Sequence, residues 1–251
     1  MTTPRSRRQV LRGTAAGAGG LLALPLPLSA AEAKPARLRV VVFGGHPDDP
    51  ETMAGGTMAL LAAAGHEVVS LYLTRGEAGI EGKTHEQAAA IRTEEATKAC
   101  AILGARPRFL PQVDGATEIT PARYAEVRRA LEEERPDVLV VHWPVDTHRD
   151  HRIASVLAYD AWLSLGRSFD LYYGEVLTGE QTQQFAPTRR VDVTSVVDKK
   201  RAACFAHASQ GPDEFWPQHE RMQRFRGLEG GCAAAEAFAL HPQSPRASAL
   251  S

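Results

Sequence analysis

The stretch that decides the fold reads Arg39-Val40-Val41-Val42-Phe43-Gly44-Gly45-His46-Pro47-Asp48-Asp49-Pro50-Glu51. Its first half, Arg39–Gly44, is a short unbroken apolar run rich in valine, which reads as a strand buried on both faces. Such strands belong to parallel sheets, because the crossover segments that join parallel strands cover both sides with helices. Two glycines end the run and a cluster of polar residues follows. In an open parallel sheet, ligands bind beyond the carboxyl ends of the strands, and that is where this cluster falls.

The same alternation continues outward. Glu51–Ala64 is rich in Ala and Leu and stops at Gly65, a helix with a glycine cap. Val68–Leu73 reads as a second strand and Thr84–Leu103 as a long helix ending at Gly104, followed by a weak third strand at Arg108–Leu110. Pro121–Glu134 is predicted helical, with proline in its first turn and Pro136 just past its end. Val138–His142 is a fourth strand, Arg149–Leu165 a helix and Leu171–Val176 a further strand. The alternation implies an α/β, Rossmann-like fold: a mostly parallel sheet with helices on both faces. After Thr178 the pattern weakens. An edge strand is expected at Arg189–Val193, and helices at Asp198–His207 and Ala233–Leu240.

At 251 residues, 43% hydrophobic and 24% charged, the chain needs only one well-packed domain to bury its apolar content. The net charge of −1 and the lack of a basic stripe argue against nucleic acid as a partner. Cys100, Cys204 and Cys232 form no C-x-x-C pair, and their odd number argues against a disulfide framework while leaving room for one bridge. At the N-terminus, Ser6-Arg7-Arg8-Gln9-Val10-Leu11-Arg12 resembles a twin-arginine export signal. The mildly apolar stretch that follows is too short, and too broken by Pro25 and Pro27, to span a bilayer. Ala31-Glu32-Ala33 is a small-x-small cleavage site. The expectation is a signal peptide over 1–33 and a single domain over 34–251, exported to the periplasm or beyond, with no stable membrane anchor after cleavage. A basic disordered tail is the alternative.

Two polar clusters carry the chemistry. Asp48, Asp49 and Glu51 lie so close together that they repel one another unless a cation or a helix N-terminus compensates; plain helix capping is the alternative. The second cluster, Asp146-Thr147-His148-Arg149-Asp150-His151, follows the fourth strand. His148 and His151 are three apart at a helix start and share a face, as a pair of solvated surface histidines also would. If the first and fourth strands are neighbours, both loops open into one crevice. Two His and one Asp then make a site for Zn²⁺ with one position open, a donor set that also suits Fe²⁺. Zinc lowers the pKa of its water toward about 7 and polarises a carbonyl, a free carboxylate takes the proton of the attacking water, and an imidazolium stabilises the oxyanion. This is the chemistry of amide hydrolysis. No Gly-x-Ser-x-Gly elbow is present, and Phe43-Gly44-Gly45-His46 is not a dinucleotide fingerprint.

Gly45–Glu51 resembles the His-Pro-Asp-Asp-Glu signature of the PIG-L/LmbE de-N-acetylases, and Asp146–His151 resembles that family's second His-x-x-His motif. Supporting similarity runs through Thr74–Gly79, Arg92-x-x-Glu95 and His207-Ala208-Ser209-Gln210. The resemblance implies that His46, Asp49 and His151 are metal ligands, Asp48 the general base, and His148 the oxyanion-stabilising residue and acid. Asp150 would orient or charge His148. Arg92 would contact the polar substrate, or else form a surface ion pair with Glu94 or Glu95. Glu77 and His207 are further candidates for substrate contact, with a tight loop and a core histidine as their alternatives. His142 is a candidate for supporting the ligands from behind. Phe215, Trp216 and Phe225 form either a sugar-stacking wall or a C-terminal core.

Two residues depart from the pattern. Pro50 separates Asp49 from Glu51 and is expected to hold Asp49 extended and delay the helix, and Arg149 is expected to add positive charge at the pocket rim. The implied function is an exported zinc hydrolase that removes acetyl from an N-acetylated sugar or sugar conjugate. A non-catalytic exported carbohydrate binder and a non-haem Fe(II) oxygenase are the competing readings. The extra carboxylate of Asp48 speaks against the first, and the parallel α/β pattern against the second.

Overall fold

The computed structural model describes residues 37–246, so the expected signal peptide lies outside the described residues. The chain runs β1 (Arg39–Gly44), α1 (Asp49–Ala63), β2 (Glu67–Tyr72), α2 (His85–Leu103), β3 (Arg106–Phe109), α3 (Pro121–Glu134), β4 (Val138–His142), α4 (Arg149–Ser164), β5 (Asp170–Gly174), β6 (Arg189–Asp192), α5 (Val197–Phe205), α6 (Pro212–Gly230) and β7 (Ala235–Leu240). The seven strands form one sheet in the order β3-β2-β1-β4-β5-β7-β6. β1 to β5 pair in parallel, and β7 enters antiparallel to both β5 and β6.

The valine run explains why β1 sits in the middle. Alternate side chains of a strand point to opposite faces, and both faces of β1 are covered. Val41 and Phe43 pack with Val127, Leu131, Leu157 and Trp162 of α3 and α4. Val40 and Val42 pack with Met53, Met58, Leu103 and Ala203 of α1, α2 and α5. Cutting one of these larger buried side chains back to alanine costs about 2–5 kcal/mol, so the strand that carries the site is held from both sides.

β1 and β4 are direct neighbours, with Val41 opposite Leu139 and Phe43 opposite Val141. The loops after them therefore open side by side at the point where the strand order reverses, and the two polar clusters meet. Gly44 permits the tight turn into α1, since a Cβ there would stand 2.6 Å from the Asp49 Cβ and 2.7 Å from the Pro50 Cδ.

Pro50 does not delay the helix. α1 begins at Asp49 with Pro50 inside its first turn, where the missing N–H has no intrahelical partner to lose. Glu51 points away from the cleft. Its carboxylate is enclosed under the helix, accepting hydrogen bonds from Tyr72 Oη at 2.7 Å and Ser70 Oγ at 3.2 Å.

The C-terminal third differs from expectation. Residues 235–240 form strand β7, not a helix, although the segment is rich in alanine. The slot between β5 and β6 supplies backbone partners on both edges, and Glu236 and Phe238 are buried there; pairing and burial outweigh alanine's helix preference. The long helix α6 carries Pro217 in its interior and mostly polar residues, so it leaves little apolar periodicity to read. The three cysteines are all free thiols, and no described helix is long and apolar enough to cross a membrane.

Candidate metal centre

Four imidazoles, those of His46, His142, His148 and His151, gather around Asp49 where β1 and β4 end. Asp49 is the hub. One of its carboxylate oxygens faces His46 Nδ1 at 3.3 Å and the other faces His151 Nε2 at 3.2 Å. The far nitrogen of each ring is turned to another carboxylate. His46 Nε2 lies 3.1 Å from Asp114 and 3.3 Å from Asp150, and His151 Nδ1 lies 3.2 Å from Asp146. This is how histidines that bind a metal are held, with the rear N–H given to a carboxylate that fixes tautomer and orientation. His46 Nδ1 and His151 Nε2 each face one Asp49 oxygen, and two nitrogen donors with one anionic oxygen donor suit a divalent cation. The groups whose donor atoms all lie within 4.8 Å of one another are His46, His148 and His151; Asp49, His142 and His151; and His46, Asp114 and Asp150.

His142 stands behind the cluster. Its ring stacks on His151 with centroids 3.9 Å apart, and its Nε2 accepts the Gly45 N–H at 3.0 Å while facing Asp49 at 3.2 Å. Burial, reinforced by the charge of His151, pushes its pKa down to about 4. It is therefore a neutral acceptor for Gly45 that stands behind His151 and Asp49.

The two adjacent aspartates differ electrostatically. Burial raises Asp49, but His151 and His142 outweigh it and hold its carboxyl well below the usual range. Burial also raises Asp48, and there the neighbouring charge of Asp49 adds to the rise while Arg92 only partly offsets it. Asp48 caps α1 at φ 111°, backbone that non-glycine residues adopt only when their surroundings force it. The force comes from Arg92, which donates to the Pro47 carbonyl and to the Asp48 carboxylate at 2.9 Å. Arg92 is not on the surface: it is 3% exposed, and a Cβ on Gly76 or Gly79 would collide with its guanidinium at 2.4 or 2.3 Å. The glycine-bearing loop after β2 is thus a fitted cover for this arginine.

His148 occupies the N-cap of α4, where its Nδ1 accepts the Asp150 N–H at 3.2 Å. Its proton is consequently on Nε2. Burial and, without a cation in the site, the charges of His46 and His151 lower its pKa, which favours the neutral ring with Nε2–H as donor. Asp150 touches His148 only through this backbone N–H. Its carboxylate turns to His46, to Thr117 Oγ1 at 2.6 Å and to the Gly115 N–H at 2.8 Å, so it orients a proposed ligand in place of the oxyanion residue.

A cleft of about 370 Å³ is lined by His46, Asp48, Asp49, Arg92, His148 and His151, together with Asp114 and Gln210. Two expected substrate contacts are not part of it. Glu77 braces the rim from outside, accepting the Asp114 N–H at 3.1 Å and the Arg75 N–H at 3.2 Å. His207 is fully buried, with Nε2 3.4 Å from Glu51; Glu51 draws it into the core. Arg149 donates to the Thr117 carbonyl at 2.7 Å and does not reach the cleft lining. Of the three aromatic residues, Trp216 is core and Phe225 is exposed, while Phe215 lines a side cavity beside Asp48 and Asp49. Sequence reading missed Asp114, although it lies just beyond the weak third strand and the rule that ligands gather at carboxyl strand ends reaches it there.

Comparison with known proteins agrees with this geometry. The family model described as GlcNAc-PI de-N-acetylase, PIG-L, matches residues 41–162, which span both polar clusters. Diacetylchitobiose deacetylase of Thermococcus kodakarensis is 31% identical over 218 residues, covering 80% of this chain and 80% of the relative. 4-Oxalmesaconate hydratase of Pseudomonas putida is 30% identical, covering 75% and 80%. Among solved structures, the conserved protein TT1542 of Thermus thermophilus superposes with a TM-score of 0.72 at 31% identity, over 83% of this chain and 96% of that one. With a mostly parallel α/β sheet, both motifs at its reversal point, and relatives of this identity and coverage, the chain belongs to the PIG-L (GlcNAc-PI de-N-acetylase) family.

Proposed function

We propose that this protein is an exported, zinc-dependent hydrolase that removes the acetyl group from an N-acetylated amino sugar or its conjugate. The observation that carries the reading is the division within the Asp pair. Asp49 has both oxygens committed to imidazoles, whereas Asp48 borders the cleft with a raised pKa, which suits a general base. The deacetylase relative acts, by its name, on an N-acetylated sugar, and membership of this family sets aside a carbohydrate binder and an Fe(II) oxygenase.

His46, Asp49 and His151 would hold the cation, with Asp114, Asp150 and Asp146 behind the rings. A divalent cation there supplies a Lewis acid that acidifies a water and polarises the scissile carbonyl. Asp48, fixed by Arg92, takes the proton of the attacking water and passes it to the departing nitrogen. The C–N bond breaks, acetate leaves and the sugar keeps a free amine. His148 offers its Nε2–H to the carbonyl oxygen as that oxygen gains charge. Two His and one Asp suit zinc with one position open, and Fe²⁺ is the alternative cation for the same donors. Export rests on Arg7-Arg8 and Ala31-Glu32-Ala33; protein retained in the cytoplasm would refute export, and secreted protein still beginning at Met1 would refute cleavage before Lys34.

The test is acetate release from N-acetylglucosamine and N,N′-diacetylchitobiose, with metal analysis of the purified protein. The reading expects release that stops on chelation and returns with zinc. No release from either sugar, with hydration of 4-oxalmesaconate instead, would replace it by the activity for which the Pseudomonas putida relative is named.

A further inference from the structure

The helix α2 that holds Arg92 against Asp48 makes a second grip one turn later. Glu95 is 7% exposed, and both of its carboxylate oxygens are taken by one residue. Oε1 accepts the Ser209 N–H and Oε2 accepts the Ser209 hydroxyl, each at 2.7 Å. Ser209 belongs to the short turn Ala208–Gln210 between α5 and α6. Its hydroxyl oxygen in turn accepts from the Gln210 amide nitrogen at 3.0 Å, and that nitrogen also donates to the Gly79 carbonyl at 3.2 Å. A glutamine amide has donors on its nitrogen and an acceptor in its oxygen. Two acceptors claim the nitrogen here, so what Gln210 offers the cleft it lines is its carbonyl oxygen. Gly79 also covers the Arg92 guanidinium, which places this oxygen on the side of the cleft where the base is held. Bonds to a carboxylate are roughly twice as strong as neutral ones, so Glu95 holds the turn firmly against α2.

We propose that the Gln210 carbonyl oxygen accepts a hydrogen bond from a ring hydroxyl of the substrate sugar, and that Ser209 and Glu95 are positioning residues that hold it in place. This rests on the amide-hydrolase reading and names a residue by which that hydrolase recognises the sugar. An acceptor oxygen must meet an N–H or an O–H. The N-acetyl group has a single N–H, and its nitrogen must face the proton that Asp48 returns to it. The hydroxyls around the ring are the remaining donors. An unrestrained glutamine could rotate its amide and serve a donor or an acceptor alike; Ser209 and Gly79 remove that choice, so the site prefers a hydroxyl to a group that can only accept.

The experiment measures acetate release from N-acetylglucosamine and its 1-, 3-, 4- and 6-deoxy analogues by the zinc-loaded enzyme and by Gln210→Met, Ser209→Ala and Ser209→Thr. Ratios between substrates are used because they do not depend on the fraction of enzyme that is folded or metallated. Gln210→Met keeps the length and removes the acceptor. It should lower kcat/KM for the parent sugar about fivefold, the size of one net hydrogen bond, and should make no difference for the analogue that lacks the bonded hydroxyl. Ser209→Ala frees the amide to turn, and should raise KM for the parent sugar with kcat held, as loss of ground-state binding does. Ser209→Thr keeps a hydroxyl and should restore KM. Ser209 and Gln210 are both half-buried, so these variants leave the core intact. A turn that serves only the fold would change all five substrates alike. An equal penalty on every substrate, or none on any, overturns the contact and leaves the hydrolase reading standing. Ser209→Ala with the wild-type KM overturns the positioning role. No cleavage of any of the five overturns the contact and the hydrolase reading together.

Discussion

Replacing Arg92 with methionine tests how the base is held. The guanidinium is 3% exposed and bonds both the Pro47 carbonyl and the Asp48 carboxylate. Methionine keeps the length and removes the charge. Breaking one partner of a buried ion pair costs about 3–5 kcal/mol, and the Asp48 side chain is 21% exposed, so partial hydration brings the expected loss to the low end, about 3 kcal/mol. For a domain of this size that lowers Tm by roughly 10 °C. The second effect is on protonation. Burial and Asp49 already raise Asp48, and Arg92 is the main force opposing them; without it the carboxyl keeps its proton to higher pH. A base works only when deprotonated, so the acid limb of the kcat/KM profile must move to higher pH. Arg92→Lys restores a point charge but not the two-point grip, and should lie between. The assay is a thermal melt and a pH profile of acetate release for both variants. An unchanged Tm together with an unchanged acid limb in Arg92→Met would refute the reasoning, because Asp48 would then be neither paired with Arg92 nor governed by it.

Other expectations follow from the same contacts. Asp146→Asn leaves the ligands in place but weakens the hold on His151 Nδ1, and zinc affinity measured by chelator competition should fall about 10–100-fold. In metal-stripped protein, Asp49 and Asp146 raise His151 against burial to about 9, and Asp114, Asp150 and Asp49 raise His46 in the same way. A histidine raised on folding stabilises fully below its unfolded pKa of about 6.5, and that stability is lost as pH climbs through the folded value. Melting of chelated protein should therefore lose on the order of 3 kcal/mol between about pH 6.5 and 9 from His151 alone; a flat profile would contradict the pairing. Lys200 and Glu236 form a buried pair at 2.7 Å, and Glu236 also accepts the Gly56 and Thr57 N–H groups at 2.8 and 2.7 Å, just past a break in α1 at Ala54. Lys200→Met should cost about 3–5 kcal/mol in a chemical unfolding curve.

Sequence was most informative where burial and local chemistry agreed. β1, α3 and β4 start and end where the residues say, because a valine run covered on both faces, or a proline-led helix stopped before another proline, has one consistent reading. The meeting of the two clusters also followed from the sequence, since central parallel strands put their loops together. What could not be read depended on distant partners. The Ala235–Leu240 segment is a strand only because β5 and β6 leave it a slot. Sequence leaves Arg92 open between substrate contact and a surface ion pair, and only the glycine loop closing over it removes the second reading. Glu51 and His207 lie 156 positions apart in the chain yet face each other in the core, so neither signals that the other removes it from the cleft. Asp150 sits next to the histidine motif, but hydrogen bonds from Thr117 and Gly115 turn its carboxylate to His46.

The most direct test of the account is zinc content and acetate release measured side by side for Asp48→Asn and Asp49→Asn. Asparagine keeps size and hydrogen bonding at both positions and removes only the charge. The account predicts that Asp48→Asn keeps zinc at wild-type stoichiometry while kcat falls about 10²–10⁴-fold, the loss of a general base. Asp49→Asn should lose zinc and regain part of its activity when zinc is supplied in excess. An Asp48→Asn protein that is empty beside an Asp49→Asn protein that stays loaded would reverse the two roles, and full activity in both would contradict the metal-hydrolase account itself.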